Sequence, residues 1–113
     1  MDEGGIVKIY LATPYSHDDP SVREARFNAI NRVAARLMKE GHVVFSPISH
    51  SHHIAIAGDT PMGFDFWESQ DESFIDWCDV MFVYKAPGWE DSIGVGAEID
   101  MALNAGKPVQ FIK

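Results

Sequence analysis

The segment Ile6–Ala12, IVKIYLA, is apolar at every position except Lys8. Such a run is a strand covered on both faces, the kind that stands in the middle of a parallel sheet. A short loop follows, Thr13–Asp18, and then the clearest helical signal in the chain. Asp19 precedes Pro20, an N-cap residue followed by proline at the first helical position. Phe27, Ile30, Val33, Ala34, Leu37 and Met38 recur at three- and four-residue spacing and make one apolar face. Gly41 stops the helix. Strand, loop and helix leading into another β-rich run form the repeating unit of a parallel α/β sheet.

The rest of the chain continues that alternation. His42–Phe45 reads as a second strand, ended by Ser46-Pro47. Ile48–Gly63 reads as a polar, histidine-rich loop containing Gly58, Pro61 and Gly63. A helix is expected over Asp65–Trp77, a strand over Asp79–Tyr84 and a loop over Lys85–Asp91. Ser92 then caps a third helix that closes near Asn104–Gly106, and Pro108–Ile112 is the last strand. The expected fold is α/β, a small doubly wound parallel sheet of flavodoxin or Rossmann-like type. It has four to five strands and helices on both faces. A chain of 113 residues fits a single domain over residues 1–113. Ligands in such sheets bind past the carboxyl ends of the strands. Thr13–Asp19, Ser46–Gly63 and Lys85–Gly96 are the segments that meet there.

Composition narrows the partners. Nine Lys and Arg stand against 17 Asp and Glu, a net charge of −8. That balance argues against polymeric nucleic acid, whose phosphates need clustered positive charge. A single small anion remains within reach of backbone N–H groups and one or two arginines. One cysteine, Cys78, leaves no disulfide framework and no cysteine-rich zinc site. No apolar run approaches the roughly 18 residues that cross a bilayer, and Met1–Gly5 carries no basic residue. A cytoplasmic chain without a membrane partner is the expectation.

Chemistry-bearing residues gather at the crevice segments. In Ser92-Ile93-Gly94-Val95-Gly96-Ala97-Glu98, two glycines open a helix behind a strand and loop. Glycine there admits a ligand to the backbone, and first-turn N–H groups can receive an anion or a sugar hydroxyl. The plainer reading is close packing of helix on sheet, with Glu98 serving the helix dipole. Asp71 is a second carboxylate, although Glu68, Glu72, Asp76 and Asp79 surround it as ordinary surface charges. Two convergent carboxylates are the equipment of glycosidic bond cleavage. Tyr10 lies in the first strand, where a buried phenol needs a hydrogen-bond partner. Tyr15, Ser16, His17, Arg23 and Arg26 surround the start of the first helix. Arginine there opposes the helix dipole, so an anionic ligand, or Asp18, Asp19 and Glu24, would balance it. His50, His52 and His53 lack metal-ligand spacing, and a pocket lining or exposed tract fits them better than a metal site. Trp67 and Trp77 read as core or crevice wall. Trp89, beside Gly88, is the tryptophan placed to stack on a planar ligand.

With these segments in order, the chain resembles the nucleoside 2-deoxyribosyltransferase superfamily. It is nearest to a small, uncharacterised bacterial and phage branch. Ile9-Tyr10-Leu11-Ala12-Thr13-Pro14-Tyr15-Ser16-His17, Val44–His50, Phe66–Asp79 and Gly88–Glu98 carry the resemblance over nearly the whole length. It implies that Glu98 is the nucleophile at C1′ of the sugar, Asp71 the acid assisting the departing base, and Tyr10 the residue orienting Glu98. Base-exchanging members carry Asp six residues before the Glu, where this chain has Ser92. Serine there resembles the branch that hydrolyses nucleoside 5′-monophosphates and holds the phosphate with that hydroxyl and helix-start amides. The family's first loop is glycine-rich, whereas Thr13–His17 is not.

The resemblance thus implies a nucleoside or nucleoside 5′-monophosphate N-glycosidase, with hydrolysis ahead of base exchange. The expected substrate-binding set is Thr13, Tyr15, Ser16, His17, Arg26, His50, Trp67, Trp89, Ser92, Gly94 and Gly96. No metal or cofactor is required, and a homo-oligomer, a dimer or tetramer, is implied. A non-catalytic nucleotide-sensing module of the same fold is the alternative, and a scaffold assembling through Ile54–Gly63 is a third reading.

Overall fold

The computed structural model describes residues 5–58 and 64–113. Four parallel strands, β1 (Lys8–Ala12), β2 (Val43–Phe45), β3 (Val80–Tyr84) and β4 (Val109–Ile112), lie in the order β2-β1-β3-β4. The helices are α1 (Pro20–Lys39), α2 (Pro47–Gly58), α3 (Phe64–Trp77) and α4 (Ile93–Asn104), with a 3-10 turn at Trp89–Asp91. Chain order reverses beside β1, where the path runs out to β2 and then jumps to β3 on the other side. The carboxyl ends of β1 and β3 therefore splay open a crevice at the switch point. Among the described residues no helix is long and apolar enough to cross a membrane.

The alternation of β1 divides the core. Ile9 and Leu11 turn to one face and pack with Ile30, Val33, Ala34 and Leu37 of α1. Tyr10 and Ala12 turn to the other, among Ile75 of α3 and Val95 and Ala102 of α4. Burying each large side chain contributes about 1.5–3 kcal/mol, so both faces anchor the strand. Tyr10 thus belongs to the α3–α4 face, which decides where its hydroxyl can go.

Local signals explain the helix ends. The Asp19 carboxylate accepts from the Ser21 N–H at 2.8 Å, and Pro20 opens α1. Gly41, at φ 101°, supplies the left-handed turn that sends the chain into β2. Met38, expected on the apolar face, is instead about half exposed. It follows Leu37 near the end of α1 and rotates off the buried stripe.

The expected loop over Ile48–Gly63 is corrected for most of its length: Pro47–Gly58 is α2. Its start repeats the grammar of α1. The Ser46 carbonyl accepts from His50 N–H at 3.0 Å, its hydroxyl receives the Ser49 N–H at 3.4 Å, and Pro47 follows. The buried stripe of α2 includes a histidine, His52, beside Pro47 and Ala55, so apolar periodicity alone does not reveal it. Residues 59–63, including Pro61 and Gly63 of the expected loop, lie outside the described residues.

Candidate active site

Glu98 sits on the inward stripe of α4, between Val95 and Ala102, and is 7% exposed. An acid on an otherwise apolar helical stripe stands where a hydrophobic residue is the ordinary choice. The Tyr10 hydroxyl donates to Glu98 Oε2. Tyr10 is wholly buried, and its phenol is held well above the usual range by burial and then by the Glu98 charge. It keeps its proton and can only donate to the carboxylate.

Asp71 resolves from its acidic neighbours by position on α3. Glu68, Glu72, Asp76 and Asp79 are exposed, whereas Asp71 is half-buried one turn before Ile75 on the inward stripe. Burial pushes Asp71 up to about 6, opposed by the Tyr10 hydroxyl. Burial pushes Glu98 up to about 8; the Tyr10 hydrogen bond opposes the rise and the Asp71 charge adds to it. Two acids near neutrality share one site, and between those values the pair holds one proton.

Both carboxylates line a cavity of about 550 Å³ at the carboxyl ends of the strands. Of the expected binding residues, Thr13, Tyr15, Ser16, Arg26, Trp67, Ser92 and Gly94 border it as well. The Ser92 hydroxyl accepts from Val95 N–H at 3.1 Å, which caps α4 and leaves its own hydrogen for a ligand. A Cβ at Gly94 would meet only the Ser92 hydroxyl, at 3.9 Å, and one at Gly96 would meet nothing, so helix packing needs neither glycine. The sharper requirement is at Gly88. It adopts φ 90° on the cavity wall, and a Cβ there would press on Arg26 Nη2 at 3.1 Å.

Four expected residues fall outside the cavity wall. His17 is exposed, and its Nδ1 accepts from Asp19 N–H at 3.0 Å, so it shapes the entry to α1. His50 turns away to the stacked pair Phe45–Phe74, its ring 5.4 Å from that of Phe45. Trp89 packs on Phe111 at 5.3 Å, not on the ligand space. Gly96 lies on the exposed side of α4. The two arginines pair differently from either expectation. Arg26 donates to the Ser16 carbonyl at 3.0 Å and Arg23 to the His17 carbonyl, and neither forms an ion pair among the described residues.

Sequence reasoning brought Ser46–Gly63 to the crevice as a loop but missed that α2 supplies the wall there through Pro47, Ile48, Ser51, His52 and Ala55. The Ser46-Pro47 start signal and the spacing of Ile48, His52 and Ala55 could have found it. Gly88, Asp91 and Ile93 complete the α4 side, and their place in the β3–α4 connection was the available signal. His52 is the member of the histidine tract that faces the cavity. It is 3% exposed, stacks on Phe27 at 4.2 Å, and bridges Tyr15 (2.6 Å) and Glu24 (3.1 Å).

The arrangement can stabilise positive charge beside Glu98 and give or take a proton at Asp71. Comparison with known proteins bears on the fold. The 2-deoxyribosyltransferase of the psychrotolerant bacterium Bacillus psychrosaccharolyticus, described as a biocatalyst for nucleoside synthesis, is 25% identical with a TM-score of 0.66. The match covers 92% of this chain and 70% of that one. No curated protein matches the chain. The family described as Domain of unknown function (DUF1937) matches residues 7–113. The chain belongs to this DUF1937 family, a branch built on the fold of the 2-deoxyribosyltransferases.

Proposed function

We propose that the chain is an N-glycosidase that cleaves the base from a nucleoside or nucleoside 5′-monophosphate. The observation that carries this reading is the buried pair Glu98 and Asp71 on one cavity, with the Tyr10 hydroxyl on Glu98. Similarity to a 2-deoxyribosyltransferase supports nucleoside glycosyl chemistry.

In the first step a Glu98 carboxylate oxygen bonds to C1′ as the C1′–N bond breaks. The bonding pair leaves with the base, which takes the proton of Asp71. Water then attacks C1′ of the glycosyl ester, Asp71 takes a proton from it, and Glu98 departs as carboxylate. Before substrate binds, the shared proton favours Glu98, the higher of the two. Positive charge growing on the sugar ring favours ionised Glu98, so the reacting arrangement is stabilised as the barrier is climbed. Tyr10 holds the attacking group and favours its ionised form.

Ser92 stands where base-exchanging members of the resembled superfamily carry Asp, and that resemblance to the nucleotide-hydrolysing branch favours water over a second base as the acceptor. Thr13, Tyr15, Ser16, Arg26, Trp67 and Gly94 are the remaining binding groups in this reading. A single cytoplasmic domain assembled as a dimer or tetramer completes it; exposed Ile54, Ile56 and Phe66 are apolar surface available to a second copy.

The test is a mixed panel of nucleosides and 5′-monophosphates, scored for free base by chromatography, with wild type and Glu98→Ala. An enzyme loses release by orders of magnitude in the variant while still binding its ligand. A wild type that binds nucleotide but releases no base is a sensor, and the proposal fails.

A further inference from the structure

The wall opposite the carboxylate pair carries a hydrogen-bonded chain that the cleavage steps do not use. Tyr15 borders the cavity, and its hydroxyl lies 2.6 Å from His52 Nδ1. His52 Nε2 lies 3.1 Å from Glu24 Oε1, and Glu24 is 54% exposed at the far end. His52 is nearly sealed from solvent, stacked on Phe27 with 18° between ring planes. Its ring is therefore fixed, with a partner on each nitrogen.

The chemistry of the partners fixes the direction of the chain. An ionised carboxylate can only accept, so Nε2 must carry the proton of the neutral imidazole. Nδ1 is then the acceptor, and the Tyr15 hydroxyl must donate to it. The Tyr15 phenol is raised above its usual range, first by burial, so it keeps the proton to donate. With its only hydrogen committed to His52 and Arg23 beside its oxygen, Tyr15 offers the cavity a lone pair and no hydrogen. From the residues around it, we infer that Tyr15 is a specificity residue that selects a base carrying an exocyclic amine, and that His52 and Glu24 are positioning residues that set its polarity.

The location supports a base over a sugar. The α2 side of the cavity is apolar at Pro47, Ile48 and Ala55, a surface suited to a flat ring. Polar groups border the cavity on several elements: Ser51 on α2, Ser16 beside Tyr15 on the loop after β1, Arg26 on α1 and Ser92 at the start of α4, so the apolar stretch of α2 is the surface on which a flat ring can lie. A carbonyl at the position of the amine would set two acceptors against each other, which costs more than the lost hydrogen bond.

The inference rests on the nucleoside reading above, and one experiment separates their failures. Base release is measured from 2′-deoxyadenosine and 2′-deoxyinosine, each also as the 5′-monophosphate, at about pH 8, above the usual imidazole range. These differ in an amine against a carbonyl at one ring carbon and in a bare against a protonated nitrogen beside it, so the change in ratio between wild type and the Tyr15 and Glu24 variants, not the wild-type ratio alone, is the readout. Wild type should favour the amine by about tenfold or more in kcat/KM. Tyr15→Phe removes the acceptor and should bring the ratio near one.

Glu24→Lys is the sharper variant, at an exposed position where folding is little at risk. A lysine can only donate, so Nε2 must accept and Nδ1 must hold the proton. Nδ1–H then donates to the Tyr15 oxygen, the Tyr15 hydrogen is released to the cavity, and the preference should reverse toward the carbonyl base. A merely structural role for Glu24 would lower both rates without reversing them. Release of both bases without a preference, or a preference unchanged in Glu24→Lys, overturns the inference alone. Release of neither overturns the inference alone where the mixed panel still yields free base, and overturns the nucleoside reading with it where the panel is silent too.

Discussion

Tyr10 and Glu98 stand 88 residues apart in sequence and meet as donor and acceptor in the core. The contact exists because β1 turns Tyr10 onto the α3–α4 face and α4 turns Glu98 inward between Val95 and Ala102. Glu98 is thereby a buried acid with a fixed donor, held near its switching point.

Tyr10→Phe should reduce kcat/KM by about 10- to 100-fold, the worth of a hydrogen bond to a charged group. The bond favours ionised Glu98, so its loss raises Glu98 further. The alkaline limb of the pH profile should move to higher pH while the plateau falls. A loss with an unmoved limb would show that Tyr10 acts on something other than Glu98.

The wild-type profile of kcat/KM should be a bell. Activity needs one proton on the pair, so it rises as the first proton leaves near 6 and falls as the second leaves near 8. The two limbs belong to the pair and not to either residue. A profile flat from about pH 5 to 9 would exclude these acids from the rate-determining step.

Asp71→Asn should abolish the donor and remove the negative charge that helps hold Glu98 up. Glu98 then ionises at lower pH, and the alkaline limb disappears because no general acid remains to be lost. Release of ordinary bases should fall by about 100-fold or more. Substrates whose leaving group needs no protonation should be spared, and the ratio of the two rates is the measurement.

The layered fold was legible because its signals are local or periodic. The apolar run of β1 and the Asp19-Pro20 and Ser92 caps mark it, as does the stripe through Ile30, Val33, Ala34 and Leu37. The candidate site rested on a different signal. Tyr10 reads as a buried phenol in an apolar strand, whereas Glu98 and Asp71 were singled out among many acids by the family resemblance and not by periodicity. The α2 wall was hidden because His52 occupies a core-facing position, so a polar residue broke the stripe that would have announced a helix. Trp89 and His50 misled because aromatic type says nothing of direction. Trp89 found Phe111 on β4, and His50 turned back to Phe45 on the strand just before its helix.

Glu98→Gln should abolish base release and stabilise the protein at alkaline pH. The ordinary value for Glu98 is 4.5 and burial raises it to about 8 in the folded chain. Between these values the folded state keeps a proton that the unfolded state gives up. The contribution is present in full below about pH 4.5, declines as pH rises, and is gone above about pH 8. Over that window the wild type should lose about 3 to 5 kcal/mol from this group, with Asp71 adding a smaller term of the same sign. Glutamine cannot ionise and still accepts from Tyr10, so the variant escapes the decline. At about pH 9 its melting midpoint should exceed that of wild type by about 10 °C or more, and near pH 4.5 the two should coincide. Equal midpoints at both pH values would mean that Glu98 is ionised at no cost in the folded chain, and the strained carboxylate on which the mechanism depends would not exist.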